Sequence, residues 1–393
     1  MRVGVVGGAG KMASGAVRGF IEAEDVEEIL LVDRNAASLE RRVQEMSSDK
    51  VKTLVLDLGD HAALVDALRQ SDVCLNATFA YFNEAVMEAC LDAETHYTDF
   101  GGLFHWAKKQ LGMHARFRDA GLTAIAGSGF APGIVNVMAR YAYLRLDTVD
   151  YVRIRDGIVN FAPPSAPLVA PYALDTILNE FTMNPWTFVD GEYKELTPFS
   201  GAEEVDFPQP VGRQTAFHTI HSEPCTIAAS FKDKGIQEVS FKLSLPEAFE
   251  QKLRLLVDLG ISDTAPVALD AISVEPRKLL LHLVDKSLEK LASAPPTKLG
   301  DHKALRVSVR GTKDGQVQDY VMECVVHPHQ EWNMPTSTWT VGFPGAVTTR
   351  LLGGGVIDRP GVYGGEAVIP PETYFAELNR QGIHVTCAQN VAY

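Results

Sequence analysis

The chain has 393 residues and a formal net charge of −14 at pH 7, with acidic and basic residues interspersed. This length favours two domains, and the acidic balance argues against nucleic acid or an anionic membrane as the main partner. The five cysteines lack CxxC or CxxH spacing, no signal peptide is recognisable and no apolar run reaches the ~20 residues of a membrane span, so we expect a disulfide-free cytoplasmic protein.

The first predicted element, an apolar strand at residues 1–6, leads directly into a GxGxxA turn. Gly8 permits the tight turn, Gly10 lets the backbone approach a pyrophosphate, and Ala13 lets the next helix pack closely against the strand. That helix, predicted at 12–23, presents unpaired N–H groups to an anion. The predicted pyrophosphate-binding residues are Gly8, Gly10, Lys11 and Met12.

The second predicted strand, at residues 29–32, ends at Asp33, 25 residues after Gly8. An acid at this place is expected to accept hydrogen bonds from the adenosine ribose hydroxyls and to repel a 2′-phosphate, which favours NAD as the cofactor. Arg34 leaves NADP possible, because its guanidinium could stack on the adenine or pair with a 2′-phosphate.

Strands and helices continue to alternate up to residue 126. This rhythm predicts an α/β fold with a doubly wound parallel Rossmann sheet. The remaining predicted strands of the sheet are residues 53–56, 73–76, 96–99 and 122–126, and the helices between them are residues 37–46, 62–69, 83–91 and 104–120.

Ligands of such sheets bind beyond the carboxyl ends of the strands. We therefore predict that Asp57 lies near the adenine, and that Asn76, Ala77 and Thr78 lie near the pyrophosphate or the nicotinamide ribose. Asp57 could instead belong to a turn or a helix N-cap.

The pattern changes after Asp147, where longer alternating strands indicate a mixed α+β domain for substrate binding and dimerisation. We predict strands at 151–155, 216–221 and 237–245 and a hairpin within 305–325. The predicted division is a Rossmann domain at 1–128, a second domain at 129–340, and a C-terminal segment at 341–393 that returns to the Rossmann domain.

A second concentration of glycine lies at 127–133, directly after the sixth strand. Pro132 suits the first turn of a helix that runs to Leu144, and that helix would offer N–H groups to the nicotinamide amide or a substrate carboxylate. The alternative is a glycine-rich joint between domains that contacts no ligand.

Several segments together resemble the saccharopine dehydrogenase family: the opening turn, 76–81 leading into a helix that ends in Cys90, the triplet 97–99, and GFAPGIVN at 129–136. The resemblance spans essentially the whole chain. GFAPGIVN and the later HSEP at 221–224 are more similar to lysine 6-dehydrogenases than to saccharopine reductases, in which an acidic residue commonly replaces Ala131. The resemblance implies NAD(P)-dependent oxidation or reduction at a carbon–nitrogen bond of an amino acid, in a homodimer.

Such chemistry needs a group that accepts the proton of the substrate ammonium and anchors for the charged end of the substrate. Asp99, His218 and His221 are candidate proton acceptors, and Glu223 is a candidate ammonium partner; because side chains alternate on a strand, at most one histidine should enter a given pocket. We expect Asp99, His221 and Glu223 to face one cleft with the 129–133 loop. The expected substrate-binding residues are Tyr81, Phe130, Arg155 and Arg213, with Arg153 as a further candidate.

A metal site is not predicted. His327 and His329 resemble a ligand pair only superficially, because Pro328 interrupts the strand and no third ligand lies nearby in sequence.

The favoured reaction is therefore NAD-dependent oxidative deamination of the terminal amine of lysine or a lysine-like amino acid. An opine-type dehydrogenase, of the saccharopine or carboxynorspermidine kind, is the second hypothesis. A non-catalytic Rossmann protein that senses NAD(H) is the third.

Overall fold

The computed structural model describes residues 1–162, 168–270, 272–290 and 299–391. In chain order its strands are β1 Arg2–Val6, β2 Glu28–Asp33, β3 Val51–Val55, β4 Val73–Asn76, β5 His96–Asp99, β6 Thr123–Ala126, β7 Thr148–Asn160, β8 Trp186–Val189, β9 Glu192–Glu195, β10 Glu203–Asp206, β11 Arg213–His218, β12 Glu238–Ser244, β13 Val267–Leu269, β14 Ile272–Val274, β15 Asp301–Lys313, β16 Gln316–Val326, β17 Gly361–Gly364 and β18 His384–Val391. Its α-helices are α1 Lys11–Glu22, α2 Ala36–Met46, α3 His61–Leu68, α4 Asn83–Ala93, α5 Phe104–Gly112, α6 His114–Asp119, α7 Ile134–Tyr143, α8 Leu174–Thr182, α9 Glu223–Ser230, α10 Glu247–Asp258, α11 Pro276–Glu289, α12 Thr336–Gly353, α13 Gly365–Val368 and α14 Pro371–Asn379.

The first sheet is parallel, with strand order β17-β6-β5-β4-β1-β2-β3. The chain builds outward from β1 to β3 and then restarts on the other side of β1 with β4, so the order reverses beside β1. This reversal is the topological switch point of a doubly wound sheet, where a ligand crevice opens. The predicted Rossmann sheet is confirmed, and β17 from the C-terminal segment extends it.

The second sheet is mixed, with main order β10-β11-β12-β7-β15-β16-β18 and with β8 and β9 attached through β12. β12 and β7 pair in parallel, and the other pairs are antiparallel. The predicted mixed second unit is therefore confirmed. β18 also comes from the C-terminal segment, which thus enters both sheets; the boundaries at 128 and 340 remain predictions.

The two faces of the second sheet differ because side chains alternate along each strand. On β7, Val152, Ile154 and Ile158 are buried in a core that also contains residues of the Rossmann unit, such as Val3 and Ile125. Arg153 and Arg155 lie on the opposite, charged face. Side chains on the apolar face can therefore reach the junction with the first sheet, whereas those on the charged face cannot.

Helix α12 packs on α1 at backbone contact. A Cβ added to Gly15 would lie 2.9 Å from Trp339 Cα, and one added to Gly342 would lie 2.4 Å from the Ala16 nitrogen. Helix α12 from the C-terminal part of the chain therefore packs directly against α1, the helix that begins at the glycine turn. Among the described residues, no helix has the length and apolar character needed to cross a membrane.

Three local predictions are wrong in detail. The helix predicted at 104–120 is two helices that meet at Met113. The strand predicted at 216–221 ends at His218, and the chain turns into α9, whose start accommodates Pro224 because the first turn of a helix needs no N–H donor. Helix α7 begins at Ile134, after Pro132, because Gly133 adopts φ +136° and caps it.

Candidate active site

The glycine turn after β1 is held to the neighbouring strand by its own backbone. The N–H groups of Gly7 and Gly8 both donate to Val32 O, at 2.8 and 3.1 Å. A Cβ on Gly8 would lie 2.8 Å from Leu31 Cβ, so only glycine permits this approach. Lys11 and Met12 begin α1 directly after the turn. The residues present fit a dinucleotide pyrophosphate. The glycines put no side chain between the phosphates and the start of α1, so the free N–H groups of the helix N-terminus can bind the anion.

Asp33 has a structural task in addition to the predicted contact with the ribose. Its Oδ2 accepts a hydrogen bond from the Ala9 N–H at 3.2 Å, and its Oδ1 accepts one from the Asn35 N–H at 3.0 Å. The carboxylate therefore lies against the glycine turn, where a cofactor ribose is expected. Arg34 is exposed beside it, and Asp57 is exposed and accepts the Gly59 N–H at 2.8 Å, which fits the alternative of a turn.

The charge on Asp33 provides a test of cofactor preference. Asp33→Asn keeps an acceptor oxygen for the Ala9 N–H but removes the negative charge. We expect the ratio of NAD to NADP affinity to fall by about tenfold, because a lost charged hydrogen bond is worth roughly 1.5–3 kcal/mol. Titration of both cofactors into both proteins measures the ratio. A wild type that binds NADP more tightly would contradict the role of Asp33 and favour Arg34.

A buried polar network joins the carboxyl ends of β4 and β5. Asn76 donates to Asn83 Oδ1 at 2.9 Å and to the Tyr97 hydroxyl at 3.1 Å, and it accepts the Thr78 N–H at 3.1 Å. Asn76 thus orients the 76–78 segment. Its side-chain nitrogen and oxygen both form hydrogen bonds within the protein. Ala77 and Thr78 remain the parts of this segment that are partly exposed to the crevice.

Asp99 is the centre of the same network and is only 1% exposed. Its Oδ1 accepts the N–H groups of Gly101 and Gly127 at 2.7 Å each, and its Oδ2 accepts from Tyr97 at 2.8 Å and Gln110 at 2.5 Å. Burial raises the pKa of Asp99, while these hydrogen bonds oppose the shift. With both oxygens engaged, Asp99 positions the loops after β5 and β6, and the geometry does not support the predicted proton acceptor.

The 127–133 loop packs on these glycines. Pro132 lies between Gly101 and Gly127, because a Cβ on either glycine would lie within 2.6 Å of the Pro132 ring. Asn136 then accepts the Gly133 N–H at 2.8 Å and donates to Glu366 Oε2 at 2.7 Å. The loop is thus fixed by side chains from both the Rossmann unit and the C-terminal segment.

Glu366 is a fully buried residue that the sequence reasoning missed. It accepts from Asn136 and, at 2.8 Å, from Ser230 at the end of α9. Burial raises its pKa, which the hydrogen bonds of Asn136 and Ser230 oppose. Because a single glutamate in a Gly-rich tail carries no local signal, its part in holding α7 and α9 together could not be predicted from the sequence.

His221 and Glu223 contact each other in a buried position, and the cleft that they were expected to share with the 129–133 loop stays a prediction. His221 Nδ1–H donates to Glu223 Oε2 at 3.1 Å, and its Nε2 lies 3.6 Å from Glu180 Oε1. The imidazole stacks on Phe241 of β12 with ring centroids 3.7 Å apart. Burial alone lowers the pKa of His221, but the two carboxylates outweigh it and raise the pKa to about 10. His221 is therefore an imidazolium at neutral pH.

Two further charged residues lie beside this pair on the apolar face of the second sheet. Asp156 Oδ2 is 3.1 Å from Lys303 Nζ, and both side chains are buried. The ammonium of Lys303 lies 4.4 Å above the ring of Phe130, which places it directly beneath the 129–133 loop. The Tyr172 hydroxyl donates a hydrogen bond to Glu180, the carboxylate that faces His221. An acid on β7 between Ile154 and Ile158 was the sequence signal that could have revealed Asp156.

We call this set the acidic cluster; its members are Asp156, Glu180, His221, Glu223 and Lys303. Its three carboxyl groups face two cationic groups in a buried volume. Among the described residues, Glu223 Oε1 and Asp156 Oδ1 are buried and have no hydrogen-bond partner. Burial raises the pKa of Asp156, and Lys303 opposes the shift. Because a buried carboxylate is costly unless it is paired, the cluster is suited to a cationic ligand.

The predicted arginine anchors lie elsewhere. Arg155 is on the charged face, where it donates to Glu203 at 2.9 and 3.1 Å, and Lys242 donates to the same carboxylate at 2.6 Å. His218 lies on that face too, where burial and these two cations lower its pKa to about 4. The two histidines separate because the strand ends between them.

The other two predicted arginines do not reach the acidic cluster either. Arg213 pairs with Glu204 at 3.2 Å on an exposed edge, and Arg153 pairs with Glu238 at 2.7 Å. Because each guanidinium is already committed to a carboxylate, the expected roles of Arg155 and Arg213 in substrate binding are not supported. Tyr81 is 56% exposed and stacks on Phe79 near the end of β4, so it remains a predicted wall of the cleft.

His327 and His329, which resemble a pair of metal ligands in the sequence, each contact another aromatic or imidazole ring. His327 Nδ1 lies 2.8 Å from His302 Nδ1, and His329 stacks on Trp332. In the described part of the chain, no group of three or more His, Cys, Asp or Glu residues is arranged to hold a metal ion.

A parallel doubly wound sheet with a glycine-rich turn at its switch point is the arrangement of a dinucleotide-binding domain. Two family models match this chain: the saccharopine dehydrogenase NADP-binding domain at residues 3–125 and the saccharopine dehydrogenase C-terminal domain at residues 129–383. The chain belongs to the saccharopine dehydrogenase family and is an NAD(P)-dependent dehydrogenase.

Relatives whose names state an activity are 24% and 25% identical to this chain. A carboxyaminopropylagmatine dehydrogenase from Synechocystis is 24% identical over 96% of this chain and 95% of its own length. A carboxynorspermidine synthase from Vibrio alginolyticus is 25% identical over 78% of this chain and 75% of its own length. The structure of saccharopine dehydrogenase (L-Glu forming) from Saccharomyces cerevisiae shares the fold, with a TM-score of 0.72 and 16% identity over the full length of both chains.

Proposed function

We propose that the protein couples an amine of polyamine type to a carbonyl compound and reduces the resulting C=N bond, giving a carboxylated secondary amine. This is the second of the three hypotheses from the sequence. The names of the two sequence relatives, a carboxyaminopropylagmatine dehydrogenase and a carboxynorspermidine synthase, favour it over deamination of lysine.

The acidic cluster is the observation that carries this proposal. Among the described residues, two of its carboxyl oxygens, Glu223 Oε1 and Asp156 Oδ1, are buried without a hydrogen-bond partner, and Lys303 of the same cluster contacts Phe130 in the loop that follows β6. A substrate ammonium would supply the missing charge and hydrogen-bond donors. A substrate with several amines can engage more than one of these carboxylates.

The roles of the residues follow from their charges. Condensation of a neutral amine with a carbonyl carbon forms the C–N bond and, through loss of water, the C=N bond. The nicotinamide supplies the hydride to that carbon when the cofactor is bound. In this proposal His221, kept protonated by Glu223 and Glu180, donates a proton as water leaves and takes one back in the reverse direction. Glu223 and Asp156 orient the amine.

The test is a cofactor assay with two substrate sets, an amine mixed with an aldehyde-bearing amino acid and lysine alone. The proposal predicts oxidation of NADH or NADPH when a diamine or triamine is mixed with an amino acid that bears a terminal aldehyde. It predicts no reduction of NAD or NADP by lysine alone. Reduction of NAD by lysine without the coupling reaction would contradict it in favour of deamination, and inactivity with every set would contradict it in favour of an NAD(H) sensor.

We also place a homodimer interface on the second unit. Exposed large apolar side chains are concentrated between residues 255 and 288, including Leu259 at 64% and Leu283 at 54% exposure. Apolar surface of this kind marks a site of association. Free cysteines, four of them buried, are compatible with the expected cytoplasmic location.

Sedimentation tests the interface. We expect wild-type protein to sediment as a dimer and Leu259→Glu or Leu283→Glu to sediment as a monomer at the same concentration, because a buried unpaired charge opposes association. Val356→Glu is the matched control, because Val356 is 53% exposed on a different part of the chain. Dimers in all four proteins would exclude this surface.

A further inference from the structure

A cavity of about 560 Å³ lies outside the glycine turn, between α1, α2 and the segment 332–338 that leads into α12. It is separate from the acidic cluster, and the proposed reaction does not use it. Its charged lining residues are Lys11 and Arg18 from α1 and Arg42 and Glu45 from α2. Three cations against one carboxylate make it a positive cavity on a chain whose net charge is −14.

Arg18 and Arg42 are held in place by hydrogen bonds that do not use all of their N–H donors. Arg42 pairs with Glu45 at 2.7 Å and donates to the carbonyl oxygens of Ala9 and Gly10 at 3.2 Å each. Arg18 donates to the carbonyl oxygen of Glu45 at 2.7 Å. Among the described residues, the Nε atoms of Arg18 and Arg42 are buried and have no acceptor. Guanidinium groups held in this way are ready to bind an anion without a large loss of side-chain entropy.

Thr338 gives an independent indication of a ligand. It lines the cavity from the start of α12 and is 2% exposed, and its hydroxyl has no hydrogen-bond partner in the described part of the chain. A buried donor without an acceptor costs roughly 1–3 kcal/mol. Residues with unpaired donors among the described atoms therefore line the cavity from both α1–α2 and α12.

We propose that this cavity binds a phosphate group. A phosphate monoester carries two negative charges and several acceptor oxygens, which match the cations and the unpaired donors. Two sources supply this chemistry: the 2′-phosphate of NADP and a free phosphorylated metabolite. Arg42 lines the cavity and also donates to the carbonyl oxygens of Ala9 and Gly10, so one guanidinium joins the cavity to the glycine turn.

Calorimetric titration of the full chain in phosphate-free buffer tests the proposal, with NAD, NADP and inorganic phosphate as probes. Arg18→Gln removes a cavity charge without touching the turn, and Thr338→Val removes the hydroxyl at nearly constant volume. Arg41→Gln is the matched control, because Arg41 is exposed on α2 and bonds Ser38 outside the cavity. Thermal melting of each variant verifies the fold.

We expect Arg18→Gln to weaken binding of a phosphate-bearing probe by about tenfold or more relative to the control, with Thr338→Val in the same direction. A loss confined to NADP assigns the cavity to the 2′-phosphate. A loss of inorganic phosphate binding to the NAD-saturated protein assigns it to a free phosphorylated ligand. Affinities for all three probes that stay within about twofold of the control in both variants would overturn the proposal.

Discussion

Gly10→Val is expected to weaken NAD and NADP binding by about 100-fold or more and to leave the fold intact. The Gly10 N–H donates to Gly7 O at 2.9 Å, and a Cβ at Gly10 would lie 3.0 Å from that oxygen, which a small adjustment of the turn can accommodate. The valine methyl groups would then fill the space that the pyrophosphate requires and keep it from the start of α1. Binding and folding should therefore separate.

The measurements are cofactor titration and thermal unfolding. Gly112→Val is the matched control, because Gly112 is exposed near the end of α5 and has no atom within 4 Å of its added Cβ. The control should bind both cofactors as the wild type does. Undiminished cofactor affinity in Gly10→Val would contradict the assignment of this turn to the pyrophosphate.

Glu223→Gln is expected to lower kcat by roughly 100-fold or more while cofactor affinity stays unchanged. The substitution keeps the size of the side chain but removes the carboxylate that pairs with His221 at 3.1 Å. The imidazolium loses its closer partner, which lowers its pKa, and the substrate amine loses a carboxylate that is proposed to orient it. Glu204→Gln, which changes an exposed carboxylate of the second unit, is the control.

The pH dependence of stability should change in the same variant. In the wild type, the pKa of His221 is raised above its ordinary 6.5 to about 10, so protonation stabilises the fold fully below about pH 6.5. This stabilisation is lost as the pH rises through about 10. In Glu223→Gln it should be smaller and lost at lower pH. Urea unfolding across this range measures it, and identical pH profiles for variant and wild type would contradict the His221–Glu223 coupling.

The Rossmann half could be predicted because its signals are local. The central strands β1, β2 and β4 are short apolar runs, and the turn residues Gly8 and Gly10 follow the first of them directly. β18 could not be predicted, since its residues are mostly exposed and show no apolar periodicity. Boundaries were less predictable: alternation predicted a strand up to residue 221, but β11 ends at His218 because the chain turns there towards α9, which begins with Glu223 and Pro224.

The candidate site was less accessible to sequence reasoning because its parts are far apart in the chain. His221 and Glu223 are neighbours and were found together, whereas Lys303 meets Asp156 only through the pairing of β15 with β7. Arginine was predicted as an anchor from its charge alone, but Arg155 and Arg213 pair with Glu203 and Glu204, partners that come from β10 and were not considered in the sequence analysis. Asp99 shows the opposite error, since an acid at the end of a parallel strand can hold loops instead of contacting a ligand.

In the proposed reaction, hydride passes to a carbon–nitrogen double bond formed from two substrates. The most direct test uses NADH or NADPH carrying deuterium at the transferred position, with a polyamine and a terminal-aldehyde amino acid, and analyses the product by mass spectrometry. We predict a secondary amine with one deuterium on the carbon newly bonded to nitrogen. Deuterium found only in the alcohol of the reduced aldehyde, with the amine unchanged, would contradict the account.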